Sequence, residues 1–171
     1  TMRIPRKPGE QVEVDWAGQT MALVNDDTGE IIPAYVFVAA LSYSQYAYVE
    51  AFLDQKQESW ITAHVNMYRF LGGVTKLLVP DNLKTGVEKP DRYNPTINKT
   101  YHEMAEHYDT VVLPARVKKP KDKPSAEGAV GDISSYIIAA LRHQKFFSLA
   151  ALNQAIRERL ETFNSKPFQK R

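Results

Sequence analysis

The hydrophobic period of this chain changes near Glu58, and that change restricts the fold more than any other feature. Before it, apolar residues follow the two-residue rhythm of half-buried strands. Over residues 11–16, Val12, Val14 and Trp16 share one face, with Glu13 and Asp15 on the other. Thr20–Val24 and Ile31–Ala40 flank Asn25-Asp26-Asp27-Thr28-Gly29, whose residues suit a tight hairpin turn. A further strand, Tyr46–Leu53, follows a turn at Ser42–Gln45 and is rich in aromatic and β-branched residues. The first third of the chain therefore predicts an antiparallel meander.

From Glu58 to Leu71 the spacing becomes helical, with Ile61, Val65 and Tyr68 as the expected stripe and Gly72-Gly73 as the stop. Val74–Val79 is a short buried strand. Asn94-Pro95 opens a second helix striped by Ile97, Tyr101, Met104 and Tyr108, and Thr110–Leu113 is a last strand. Ser125 and Ser148 cap two more helices, the first striped by Val130, Ile133, Ile137 and Leu141. The second carries Leu149, Leu152, Ile156, Leu160 and Phe163 on one face. Strand–helix–strand units favour parallel pairing through right-handed crossovers. The expected fold is thus α/β, a mixed five-stranded sheet flanked by helices, with 144–171 as a C-terminal helical extension of a single domain over 1–171.

Such a sheet places sites outside the carboxyl ends of its parallel strands. Three acids sit where this fold could hold them there. Asp15 lies inside the first strand, Asp81 directly after the apolar run ending Val79-Pro80, and Glu127 in the opening turn of the third helix. Carboxylates beside an apolar core cost free energy unless paired or bound to metal, so their convergence points to a divalent-cation site. Glu127 falls about 75° from the centre of its helix's apolar stripe, whereas Asp132 falls about 145° away and should face water. Taken singly, Asp81 is good turn chemistry and Glu127 a good first-turn acid for the helix dipole. Glu13, on the same face as Asp15, is expected in a salt bridge or at the surface. His102 and His107, about 140° apart on a helix, cannot chelate together. Tyr43, Tyr46 and Tyr48 are assigned to sheet packing.

Composition narrows the partners. The net charge is only +2, from 22 basic and 20 acidic residues, so any nucleic-acid contact must come from local clusters. The strongest is Arg116, Lys118, Lys119, Lys121 and Lys123 against Asp122, a proline-broken loop leading into Glu127 and expected to be mobile. The chain contains no cysteine, which excludes disulfides and thiolate metal sites and fits a reducing cytoplasm. No apolar run approaches a membrane span, and no leading segment resembles a secretory signal.

Five segments, taken in order, resemble the catalytic core of IstA-type insertion-sequence transposases. They are Val-Asp-Trp-Ala-Gly-Gln-Thr (14–20), Pro-Asp-Asn-Leu-Lys-Thr-Gly-Val (80–87), Lys-Pro-Lys-Asp-Lys-Pro-Ser-Ala-Glu (119–127), Phe-Phe-Ser-Leu-Ala-Ala-Leu-Asn (146–153) and Asn-Ser-Lys-Pro-Phe (164–168). That family belongs with the DDE transposases and retroviral integrases, whose core is ribonuclease H-like. The resemblance implies a polynucleotidyl transferase that cleaves transposon 3′ ends and joins them to target DNA. Asp15, Asp81 and Glu127 would be its catalytic metal ligands, holding two Mg²⁺ or Mn²⁺ ions. Hard cations select oxygen donors, which suits carboxylates rather than Cys or His. Asn82 is expected to support Asp81, and Lys84 and the basic loop to contact DNA phosphates. The resemblance also implies a homo-multimer on DNA, an IstB-type AAA+ ATPase helper, and work in the bacterial cytoplasm at the nucleoid. The interval from Asp81 to Glu127 is longer than in retroviral integrases. The family's flanking DNA-binding regions are expected to be absent from this chain.

Two other functions compete with strand transfer. A catalytically inactive DNA-docking or assembly module would have the same fold. A two-carboxylate glycosidase using Asp15 and Glu127 would work without metal and would give the lysine loop no purpose.

Overall fold

The computed structural model describes residues 10–80, 95–113 and 125–165, with side chains in the second and third helices described from Lys99 and Gly128 onward. Nine elements follow in the order anticipated. They are β1 (Gln11–Val24), β2 (Ile31–Leu41), β3 (Ala47–Phe52), α1 (Gln57–Leu71), β4 (Leu77–Pro80), α2 (Pro95–Tyr108), β5 (Val111–Val112), α3 (Ser125–Leu141) and α4 (Leu149–Ser165). The strands form one sheet in the order β3-β2-β1-β4-β5. β1–β2 and β2–β3 pair antiparallel, while β1–β4 and β4–β5 pair parallel. The mixed α/β sheet expected from the change of period is therefore present.

Two local expectations need correction. Residues 11–16 and 20–24 are one strand, not two. β1 runs through both, with a register break in which Ala17, Gly18 and Gln19 stand opposite Val36 alone. A bulge lets one strand continue while its ladder is interrupted, so a break in alternation did not mean a break in the element. In α1 the buried face is Trp60, Ala63, His64, Met67, Tyr68 and Leu71; Ile61 and Val65 only flank it. The large aromatic Trp60 sets that face, because it contacts Trp16 and Phe37 across the sheet at ring-centroid distances of 5.7 and 5.5 Å. Gly72 ends α1 in the left-handed conformation (φ 75°), donating its N–H to the Tyr68 carbonyl. The hairpin turn closes as read, with Asn25 Oδ1 accepting from the N–H groups of Asp27 and Thr28 and with Gly29 at φ 79°.

Helices cover both faces. Trp16 points toward α1, so Val12 and Val14, four and two residues before it, share that side. α3 packs on β1 and β2 from the opposite side and against α4. The α3 stripe Ile133, Ile137 and Leu141 and the α4 stripe Leu152, Ile156 and Leu160 are all buried, as is Phe146 between the two helices. Ser148 caps α4 as expected, its hydroxyl accepting from Ala151 N–H at 3.0 Å.

α4 also closes the outer rim of the sheet. Asn164 Oδ1 accepts from Ala47 N–H and its Nδ2 donates to the Ala47 carbonyl, both at 2.9 Å. Asn153 does the same for Ala51, at 2.7 and 3.1 Å. Each carboxamide offers one donor and one acceptor, as a neighbouring strand residue would. Both Asn153→Ala and Asn164→Ala are expected to cost about 1–2 kcal/mol, because two backbone groups lose their partners in each case. Urea unfolding would show this as a lower midpoint at unchanged slope.

Candidate active site

β1 is the central strand, and its described parallel pairing covers its first four residues. Gln11, Val12, Glu13 and Val14 pair with Leu77, Leu78, Val79 and Pro80, and the described part of β4 ends there. Asp15 is the next residue of β1, paired on its other side with Val38 of β2. It therefore lies where the sheet switches from antiparallel to parallel, just past the carboxyl end of β4. That is the position at which open α/β sheets form binding crevices.

Alternation assigns Asp15 to a face. Trp16 points to α1, so Asp15 and Glu13 point to the α3 side. The register keeps Thr20 level with Tyr35 after the bulge, which returns Met21 and Leu23 to the Asp15 side. Met21 indeed lines a groove of about 270 Å³ together with Ile138, Leu141 and Phe146. The C-terminal end of α3 is thus anchored over the late part of β1, and Val24 N–H donates to the Phe146 carbonyl at 2.9 Å. Ala129, Ile133 and Ile137 stay buried, so α3 lies on the sheet along its length.

From that shared groove the distances back along the two elements can be compared. Measured along the partner strand, which has no extra residues at the bulge, Asp15 (level with Val38) is four to five residues from Met21 and Ala22 (level with Ala34 and Pro33), about 13–17 Å. The backbone of residue 127 is eleven to fourteen helical residues from Ile138 and Leu141, about 17–21 Å. α3 is therefore long enough for its first turn to reach the level of Asp15 on that face of the sheet. The side chain of Glu127 lies outside the described residues, as do Asp81, Asn82, Lys84, Arg116, Lys118, Lys119, Lys121 and Lys123. The expected mobility of the basic loop falls there too.

Asp15 is half-buried. Among the described residues, no group of three His, Cys, Asp or Glu side chains is placed to hold a metal ion. Asp15 by itself fits one end of such a site, being an oxygen donor at a crevice with apolar neighbours on its own strand. Glu13 accepts a long bond from Gln11 Nε2 at 3.4 Å. Asp132 is exposed, as the helical geometry required, and so are His102 and His107. Tyr48 is buried and donates to Glu50 at 2.7 Å, and Tyr46 stacks on Phe70, in keeping with packing roles. Tyr43 is instead exposed.

Two buried polar residues escaped the sequence reading. Glu10, 7% exposed, accepts from the N–H groups of Tyr43 and Ser44 and so ties the start of β1 to the β2–β3 turn. His64 lies wholly buried in α1 between Trp60 and Tyr101. Its Nδ1–H donates to the Trp60 carbonyl at 2.8 Å, which leaves Nε2 to accept from the Tyr101 hydroxyl at 3.1 Å. Burial pulls its pKa down to about 4, partly opposed by the Trp60 bond. A histidine at an i, i+4 step from a tryptophan carried no sequence mark of that role.

This fold is that of integrase catalytic cores. The HTLV-2 integrase catalytic core domain in complex with magnesium matches with a TM-score of 0.57 at 13% identity, covering 94% of this chain and 89% of that one. The catalytic core domain of BIV integrase matches with a TM-score of 0.57 at 11% identity, covering 91% and 86%. No family model matches the chain.

Sequence comparison is more specific. The chain is 46% identical over 170 residues to "Putative transposase for insertion sequence IS1162" of Pseudomonas fluorescens, covering 99% of this chain and 30% of that protein. It is 46% identical over 158 residues to "Putative transposase y4bL/y4kJ/y4tB" of Sinorhizobium fredii, covering 92% and 31%. The chain is thus a homologue of insertion-sequence transposases, with a ribonuclease H-like integrase-core fold. It spans just under a third of the length of these relatives.

Proposed function

We propose that this chain is the catalytic core of a DNA transposase, acting as a metal-dependent polynucleotidyl transferase on DNA 3′ ends. The observation that carries the proposal is the parallel register Val14↔Pro80. Consecutive Cα atoms are about 3.8 Å apart and paired strands about 4.8 Å, so the Cα of Asp81 stays within about 12 Å of that of Asp15 on any path. The reach of α3 along the sheet supports Glu127 as the third ligand.

When bound, one or two Mg²⁺ or Mn²⁺ ions would activate the attacking hydroxyl or water and neutralise charge on the leaving 3′ oxygen. The chain's own part is to present acceptor-only carboxylate oxygens and to hold the scissile phosphate in line. Asp15 does this from the central strand, where it pairs with Val38 of β2 one residue beyond the Val14–Pro80 pair. No protein nucleophile is required. Lys84, Arg116, Lys118, Lys119, Lys121 and Lys123 would contact phosphates, which positions DNA without reading its sequence. Asn82 would orient Asp81.

In this reading the core works as part of a DNA-bound homo-multimer at the bacterial nucleoid, within a single domain over 1–171. Among the described residues no helix is long and apolar enough to cross a membrane. The relatives' names give the IstB-type helper no support, and no docking surface for it is assigned.

The test is nicking or joining of a pre-cut DNA end with Mg²⁺, with Mn²⁺ and with chelator. Activity in either metal and none in chelator is expected. Activity that persists in chelator would favour the metal-independent glycosidase-like pair, and metal binding without chemistry would favour the inactive docking module.

A further inference from the structure

Inside the central strand, three consecutive residues (Gly18, Gln19 and Thr20) are exposed, although β1 is otherwise half-buried or buried from Gln11 to Ala17. They begin three positions after Asp15. Gly18 and Gln19 belong to the bulge, where three residues of β1 face Val36 alone, so the ladder to β2 cannot serve them all. On the other side, the described pairing with β4 ends at Val14. Among the described residues, no strand pairs with β1 on that side beyond Val14, and these three positions are exposed.

Gly18 has no evident structural reason to be glycine. Its φ lies outside the left-handed region, and an added Cβ would meet nothing within 4 Å among the described residues. A strand gains from a side chain at such a position, since glycine there costs conformational entropy and packs nothing. Glycine in a strand interior marks a bulge, a tight bend, or close approach by a ligand or another backbone, and the bulge here does not by itself demand glycine because φ is not left-handed.

We infer that the Ala17–Gln19 bulge is a contact surface for the DNA sugar-phosphate backbone, with Gly18 left bare so that the strand can reach Asp15 and with the Gln19 carboxamide bonding a phosphate or sugar oxygen. The inference rests on the transposase-core reading, whose substrate it places along β1. Gly18 and Gln19 are positioning residues; they act by holding DNA, not by entering the chemistry.

The cysteine-free sequence permits a direct test. Gly18→Cys and Thr28→Cys, the latter at the hairpin turn, are each reacted with a duplex carrying a disulfide-activated tether on a phosphate next to a recessed 3′ end. Cross-linking about tenfold stronger from Gly18→Cys is expected, since a held geometry raises effective concentration; equal or weaker yield overturns the inference. A second variant separates fold from contact. Gly18→Val should leave Mn²⁺ binding unchanged and Tm unchanged or raised by about 1–4 °C. It should lower DNA-end processing about tenfold or more. Processing at the wild-type rate would overturn the inference. The parent reading fails separately, by Asp15→Asn binding Mn²⁺ as the wild type does, while the cross-linking still scores the bulge.

Discussion

Asp15→Asn is expected to remove metal-dependent DNA cleavage while leaving the fold in place. Asparagine has nearly the shape of aspartate and keeps one carbonyl oxygen, so the β1 pairing with Val38 need not change. The lost charge matters at the cation. Metal stabilisation of a developing oxyanion is worth several kcal/mol, so a loss of about 4 kcal/mol or more would reduce the rate about 10³-fold or more. Thermal unfolding gives an independent readout. A cation at ten times its Kd stabilises the folded chain by about 1.4 kcal/mol, or about 3–6 °C in Tm for a domain of this size. The wild type should show that shift with Mn²⁺ and Asp15→Asn should not. Equal shifts in both proteins would remove Asp15 from the site.

The second large effect is acid lability set by His64. Its pKa is depressed to about 4 in the folded chain against 6.5 for the ordinary group. Between those values the unfolded chain binds a proton that the folded chain does not, so stability rises with pH across the window. The contribution is complete above about pH 6.5 and is lost as pH falls toward 4, amounting to about 3 kcal/mol. Tyr101, which donates to His64 Nε2, has its phenol pushed well above the usual value by burial and stays neutral throughout. Urea unfolding from pH 4 to 7 should show a steep wild-type dependence and a shallower one for His64→Gln. A shared slope would mean that the imidazole reaches a proton without unfolding.

Local signals were read well and long-range ones were not. Turn chemistry at Asn25–Gly29, the Ser148 cap and the stripes of α3 and α4 depend on residues within a few positions of one another. The β1–β4 adjacency, which gives Asp15 its position beside the end of β4, is invisible to periodicity because its partners are more than sixty residues apart. Likewise, Glu10 and Asn153 and Asn164 find their partners across the chain. The α1 stripe was misjudged because Ile61 and Val65 are more apolar than His64, yet the Trp16–Phe37–Trp60 ring contacts fix the rotation of the helix. Of the site, the strand face of Asp15 and the water-facing side of Asp132 were legible. The family motifs at 146–153 and 164–168 end and begin, respectively, with Asn153 and Asn164, so these segments mark a structural clamp as well as ancestry.

That clamp makes the two borders of the sheet unequal. Along β3, the amides that would recruit a foreign strand at Ala47 and Ala51 are already engaged by the chain's own helix. At the opposite border, β5 is only two residues long, and Val111 is 59% exposed. In the proposed DNA-bound multimer, copies of this domain would thereby be discouraged from zipping together through β3, and their association directed toward helical faces or the β5 side.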